Sequence, residues 1–196
     1  MYYDIYLVGV GGQGILTIGE IIAEAALKRD LPANFYPTKG MAQRGGFVKA
    51  QLRLGRDNVG PSIAEKGADL VIAMELSESL KALRYLKPDG DFVLYSSVWS
   101  PTAVMLGKAP YPTVEEVLAE IEKTGGKIIH VKPEGRPEFE GQPVPENVYV
   151  LGAACRYSSL GRFINPDEIR VTLENRWKKG VERNLYTFDA GMSSTL

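Results

Sequence analysis

A chain of 196 residues, 44% hydrophobic and 24% charged, is long enough to bury one substantial core and predicts a single domain over 1–196. A formal net charge of −1 gives no overall attraction to nucleic acid or to an anionic membrane, so neither is an expected partner and electrostatic recognition has to be local. One cysteine, Cys155, and one histidine, His130, exclude an intrachain disulfide, a metal site built from several His and Cys ligands, and a four-thiolate iron–sulfur cluster held by this chain alone.

Strand and helix signals alternate along most of the chain. Met1-Tyr2-Tyr3-Asp4 leads straight into a short apolar strand at 5–8 without the regions of a signal peptide, and the longest apolar run, 15–27, is broken by Glu20 and Glu24. The expected location is therefore the cytoplasm. A helix over about 14–28 presents Ile15, Ile18, Ile22, Ala25 and Ala26 on one face, and Phe35-Tyr36 reads as a weaker strand. Residues 47–54 alternate, with Val48, Ala50, Leu52 and Leu54 on one side and Lys49, Gln51 and Arg53 on the other, as in a strand wet on one face. Then come a strand at 69–74, a helix at 77–86, a strand at 92–95, a helix at 114–123 and a strand at 127–131. This order predicts an α/β fold: one Rossmann-like domain with a mainly parallel sheet, helices on both faces and a C-terminal helical segment.

Two proline-rich segments, 99–112 and 133–145, read as surface excursions. Beyond them a helix is expected over 148–159. Asn165-Pro166-Asp167-Glu168 has the cap, the proline and the acid of a helix start, opening a helix that runs to about Lys179. His130 lies in a strand and Cys155 in a small-residue helix, and both read as structural.

Gly9-Val10-Gly11-Gly12-Gln13-Gly14 sits directly between the first strand and the first helix. Its Gly-x-Gly-x-x-Gly spacing permits a tight turn and offers unpaired helix N–H groups to an anion, which makes Gly9, Gly11, Gly12, Gln13 and Gly14 cofactor-binding candidates. A turn that serves only helix-to-sheet packing remains open beside that reading. The acid that a nicotinamide enzyme wants about 20 residues later is missing. Residues 31–56 instead hold five cations and no acid, which suits a phosphorylated ligand or an acidic surface. Within that stretch lies Lys39-Gly40-Met41-Ala42-Gln43-Arg44-Gly45-Gly46. Its glycines allow close backbone approach, Arg44 offers a planar fork to a carboxylate or phosphate, and Gln43 offers a donor and an acceptor. A wide turn with a solvated arginine is the competing reading.

The combination GVGGQG, GMAQRGG, Asn147-Val148-x-x-Leu151-Gly152 and Asn184-x-x-x-Phe188-x-x-Gly191 resembles the γ-type domain of the 2-oxoacid:ferredoxin oxidoreductases, and most closely the small subunit of the indolepyruvate branch. The resemblance covers essentially the whole chain. It implies a complex that decarboxylates a 2-oxoacid on thiamine diphosphate and Mg, passes electrons through [4Fe–4S] clusters to ferredoxin, and forms an acyl-coenzyme A. In that family a large partner subunit carries the thiamine and cluster sites, so this chain is expected to bind no cofactor tightly, to hold no catalytic residue or metal, and to be inactive alone. It is expected to self-associate as a homodimer when isolated. Lys39, Gly40, Met41, Gln43, Arg44, Gly45 and Gly46 become candidates for the interface with the large subunit, near coenzyme A. Asp89-Gly90-Asp91 only echoes a thiamine motif and reads as a helix-to-strand turn. A free-standing NADP- or flavin-binding protein and a non-enzymatic scaffold are the alternatives.

Overall fold

A computed structural model describes residues 1–38 and 46–196. Strand β1 (Tyr3–Val10) is buried along its whole length, which explains its near-continuous apolar sequence: it is covered on both faces. Helix α1 (Ile15–Leu27) follows it, then the antiparallel strands β2 (Ala33–Pro37) and β3 (Phe47–Leu54). Next come β4 (Ala68–Ala73), the short helix α2 (Leu76–Ser79), a 3₁₀ segment (Leu80–Tyr85) and β5 (Leu86–Tyr95). Helices α3 (Thr102–Met105) and α4 (Val114–Glu122) precede β6 (Lys127–Val131). The six strands form one mixed sheet in the order β2-β3-β1-β4-β5-β6. The run β1-β4-β5-β6 is parallel, and β3 joins it antiparallel to β1. The α/β fold expected from the sequence is the one observed, with helices on both faces.

Alternate residues of β1 feed two cores. Ile5 and Leu7 face α1 and the C-terminal helices α5 (Glu146–Tyr157), α7 (Pro166–Arg176) and α8 (Val181–Met192), while Tyr6 and Val8 face α2, the 3₁₀ segment and α4. Thr113 caps α4 with a full capping box through Glu116, and Asn165 caps α7 ahead of Pro166.

Several details differ from the sequence reading. The helix expected at 77–86 is a single α turn continued as 3₁₀. Asp89-Gly90-Asp91 does not end a helix but lies within β5, where Asp89 takes φ 62° and the pairing with β4 shifts register. The excursion at 99–112 contains α3, and that at 133–145 contains a small hairpin, β7 (Glu138–Phe139) with β8 (Gln142–Pro143). Helix α7 stops at Arg176, and α8 is a separate helix behind Gly180, which adopts φ 72°. A four-residue helix α6 (Leu160–Phe163) links α5 to α7. The polar side of β3 is also not wet: Gln51 accepts the Ile63 amide at 2.6 Å and Arg53 donates to the Gly60 and Ser62 carbonyls, so the 55–63 loop covers it.

Candidate functional site at the carboxyl edge of the sheet

Helix α1 leaves β1 toward one face of the sheet and α2 leaves β4 toward the other. The crevice between the carboxyl ends of β1 and β4 is therefore the topological switch point, where open α/β sheets place their ligands. The glycine turn lies in it. Gly12 and Gly14 adopt φ 104° and 69°, a region that strains any other residue. A Cβ on Gly9 would fall 2.5 Å from Ile15 Cδ1 and 2.7 Å from Gln13 Oε1. Gly11 is buried, and its amide donates to the Gly46 carbonyl at 2.9 Å. That bond joins the first motif to the end of the second.

Gln13 is the side chain that fills the crevice. It is 6% exposed. Its Oε1 accepts the Val10 amide at 3.0 Å, and its Nε2 donates to the Met74 carbonyl at 2.7 Å and to Ser97 Oγ at 2.8 Å. Every polar atom of the buried amide thus has a partner, and one side chain ties together the ends of β1, β4 and β5. The neighbouring Glu75 is fully buried at the end of β4. Its carboxylate caps α2 through the Glu78 amide at 2.8 Å, accepts the Trp99 amide at 3.1 Å, and accepts the Tyr111 hydroxyl.

Two residues of the α5 start complete the wall. Asn147 Nδ2 donates to the Gly14 carbonyl at 3.3 Å, and any Cβ on Gly14 would lie 2.3 Å from that nitrogen. Glu146 sits beside Gln13 and Tyr95, with Arg136 at 3.6 Å; burial holds its carboxyl above the ordinary range, against the pull of Arg136. Tyr95 is pushed up to about 12, first by burial and then by the Glu146 charge. His130, near the end of β6, bonds Ser96 Oγ through Nε2 at 2.9 Å, and burial followed by Lys132 lowers its pKa below the ordinary histidine value. Glu75, Glu146, Tyr95, Arg136 and Ser97 carried no sequence motif of their own.

Gly9, Gly11, Gly12, Gln13 and Gly14 are thus brought together with Gly46. Residues 39–45, holding Lys39, Gly40, Met41, Gln43, Arg44 and Gly45, lie outside the described residues. Their flanks are fixed at this same edge: Thr38 donates to the Lys49 carbonyl at 2.9 Å, and Phe47 pairs with Val10. The positive stretch 31–56 is partly neutralised. Asp4 accepts Arg53 Nη2 at 2.9 Å and lies 3.4 Å from Arg56 Nη2, so those two cations are paired in the fold.

Apart from Asn147, which reaches the crevice, the two C-terminal motifs meet each other. A Cβ on Gly152 of α5 would lie 2.3 Å from the Phe188 carbonyl oxygen of α8, and one on Gly191 would lie 2.1 Å from the Tyr149 carbonyl oxygen. Both glycines permit backbone contact between the helices. Among the described residues, no group of three His, Cys, Asp or Glu side chains could hold a metal ion, and no helix is long and apolar enough to cross a membrane.

The fold is that of an α/β domain with its switch point filled by Gln13, and residues 4–194 match the pyruvate ferredoxin/flavodoxin oxidoreductase family. The chain belongs to that family. It is 36% identical over 198 residues to the indolepyruvate oxidoreductase subunit IorB of Archaeoglobus fulgidus, covering 100% of this chain and 96% of the relative. It is 37% identical over 155 residues to the protein of the same name from Methanothermobacter thermautotrophicus, covering 79% of each. Among solved structures, the pyruvate oxidoreductase subunit PORC of Thermotoga maritima superposes with a TM-score of 0.69 at 22% identity, covering 97% of this chain and 94% of that one. That likeness establishes the fold.

Proposed function

We propose that this chain is the small subunit of a 2-oxoacid:ferredoxin oxidoreductase acting on indolepyruvate or a related aryl pyruvate, working in the cytoplasm as one domain. The observation that carries the reading is the match along the whole chain to proteins that are themselves named as subunits. The residues agree with a supporting role. The single cysteine is buried, and burial raises its thiol pKa, so Cys155 does not fit a cluster ligand. Thiamine diphosphate, Mg and the [4Fe–4S] clusters are assigned to a large partner subunit, which supplies the decarboxylation and electron transfer to ferredoxin. Coenzyme A enters the assembled complex.

In this reading the carboxyl edge is the working face. Gln13 and the Gly11–Gly46 bond hold the glycine turn against Gly46, and Arg44 is assigned the contact with the partner subunit or coenzyme A. Isolated from its source under native conditions, a tagged chain should bring down a cysteine-rich, thiamine-binding polypeptide in equal amount. Recovery of this chain alone or as a homodimer, from cells that express such a polypeptide, would count against it.

A free-standing nucleotide-binding protein is favoured by one observation, the Gly-x-Gly-x-x-Gly turn at the switch point. Two features oppose it: Gln13 occupies the crevice, and Glu146 adds a carboxylate beside it. Saturable binding of NADP or flavin by the purified chain would support that second reading.

A further inference from the structure

We propose that a groove of about 410 Å3 at the amino-terminal edge of β6 is a binding subsite for a phosphate-bearing small ligand, held by Arg156 and Arg162 with Lys127. The groove lies at the opposite edge of the sheet from Gln13 and owes nothing to the subunit reading. Its volume is within the range of small-molecule sites.

The first observation is the company these cations keep. Of the ten arginines outside 39–45, seven form ion pairs within the fold: Arg29, Arg53, Arg56, Arg84, Arg136, Arg170 and Arg176. Arg156 and Arg162 are two of the three that do not, and both line this groove with Lys127 and with no carboxylate. Asp91 of β5, the acid that pairs with Lys127 in the sheet, is already engaged by the Ser159 amide at 2.7 Å and the Ser159 hydroxyl at 2.5 Å.

The second observation is how the chain brings them together. Lys127 Nζ donates to the Tyr157 carbonyl at 2.6 Å, a favourable place for a cation at the carboxyl end of α5. That dipole accounts for Lys127 and Arg156 but not for Arg162, which lies beyond the helix. Arg162 is drawn in because Gly161 packs on α5, where a Cβ would stand 2.0 Å from the Cys155 carbonyl oxygen. Two guanidinium forks and an ammonium then border one concavity, the donor set that matches phosphate oxygens.

Calorimetric titration of the full chain with inorganic pyrophosphate at low ionic strength tests this. One saturable site is expected. Replacing Arg156→Gln and Arg162→Gln together should weaken it by roughly 10- to 150-fold, the scale of a charge-assisted hydrogen bond. Arg162→Lys, which keeps the charge and loses the fork, should recover part of the loss. Lys178→Gln, which removes a cation elsewhere on the surface, should leave affinity within about twofold because remote charges are screened. The replaced arginines are exposed, so thermal melting should match the parent. Absence of a saturable heat, unchanged affinity in the double variant, or an equal loss in Lys178→Gln would each overturn the site.

Discussion

The Gly11 amide and the Gly46 carbonyl lie 2.9 Å apart and are hydrogen-bonded, which joins the first glycine motif to the end of the second. Gly46, the last residue of the second motif, is therefore fixed to the glycine turn at the switch point. Arg44 is the one cation of GMAQRGG, and a charge-assisted hydrogen bond from it to a partner is worth about 1.5–3 kcal/mol. Arg44→Ala should leave thermal unfolding unchanged. It should weaken association with the large subunit by roughly 10- to 150-fold, or raise the apparent KM for coenzyme A by that factor. Arg44→Lys should recover part of either loss. If neither quantity moves by more than about twofold in a folded variant, the guanidinium makes no net contact of that strength.

Gln13→Leu keeps the bulk of the side chain and removes its polar end. The Val10 amide then loses its acceptor in a buried place, and an orphaned buried donor costs about 1–3 kcal/mol. A chain of this size loses about 2–4 °C of Tm per kcal/mol. Calorimetry that finds the variant as stable as the parent would show that water enters the crevice and replaces the amide.

Glu146 offers a test by pH. Burial raises its carboxyl pKa above the 4.5 of a free glutamate, so the folded chain holds that proton more tightly than the unfolded chain does. The contribution to stability is present below the unfolded value and is lost as pH rises through the folded one. Glu146→Gln escapes that loss, so its Tm relative to the parent should rise as the pH is raised past the ordinary glutamate value of 4.5. A flat or falling difference means that Arg136 outweighs burial.

Gly152→Ala addresses the reciprocal contact of α5 and α8. The added methyl would meet backbone, 2.3 Å from the Phe188 oxygen and 3.0 Å from Gly191 Cα. Neither atom can rotate away, so the helices have to separate at a cost of about 1–3 kcal/mol. Thermal unfolding reads this directly, and a variant that melts with the parent would show that the two helices slide without penalty.

Much of this architecture was legible because it follows local rules. The burial of β1 and α1 follows from their apolar spacing, and the cap at Asn165 follows from short-range hydrogen bonding. What was not legible depends on partners far along the chain. Nothing near Arg53 indicates that Asp4 neutralises it, and nothing near Gln51 indicates that the 55–63 loop covers its face. The break between α7 and α8 hinges on Gly180 taking a left-handed conformation, which a window rich in Lys and Arg concealed. Within the glycine motif the spacing located the turn, but the role of Gln13 rests on Met74 and Ser97, 61 and 84 residues away.

The central claim is dependence on a partner. The measurement that tests it most directly is 2-oxoacid-dependent reduction of a redox dye in the presence of coenzyme A, with this chain alone, the large subunit alone, and the two combined. The account predicts no turnover by this chain alone and activity on aryl pyruvates that appears when the large subunit is added and saturates at equal proportions. Turnover by this chain alone, or full activity of the large subunit without it, would contradict the account.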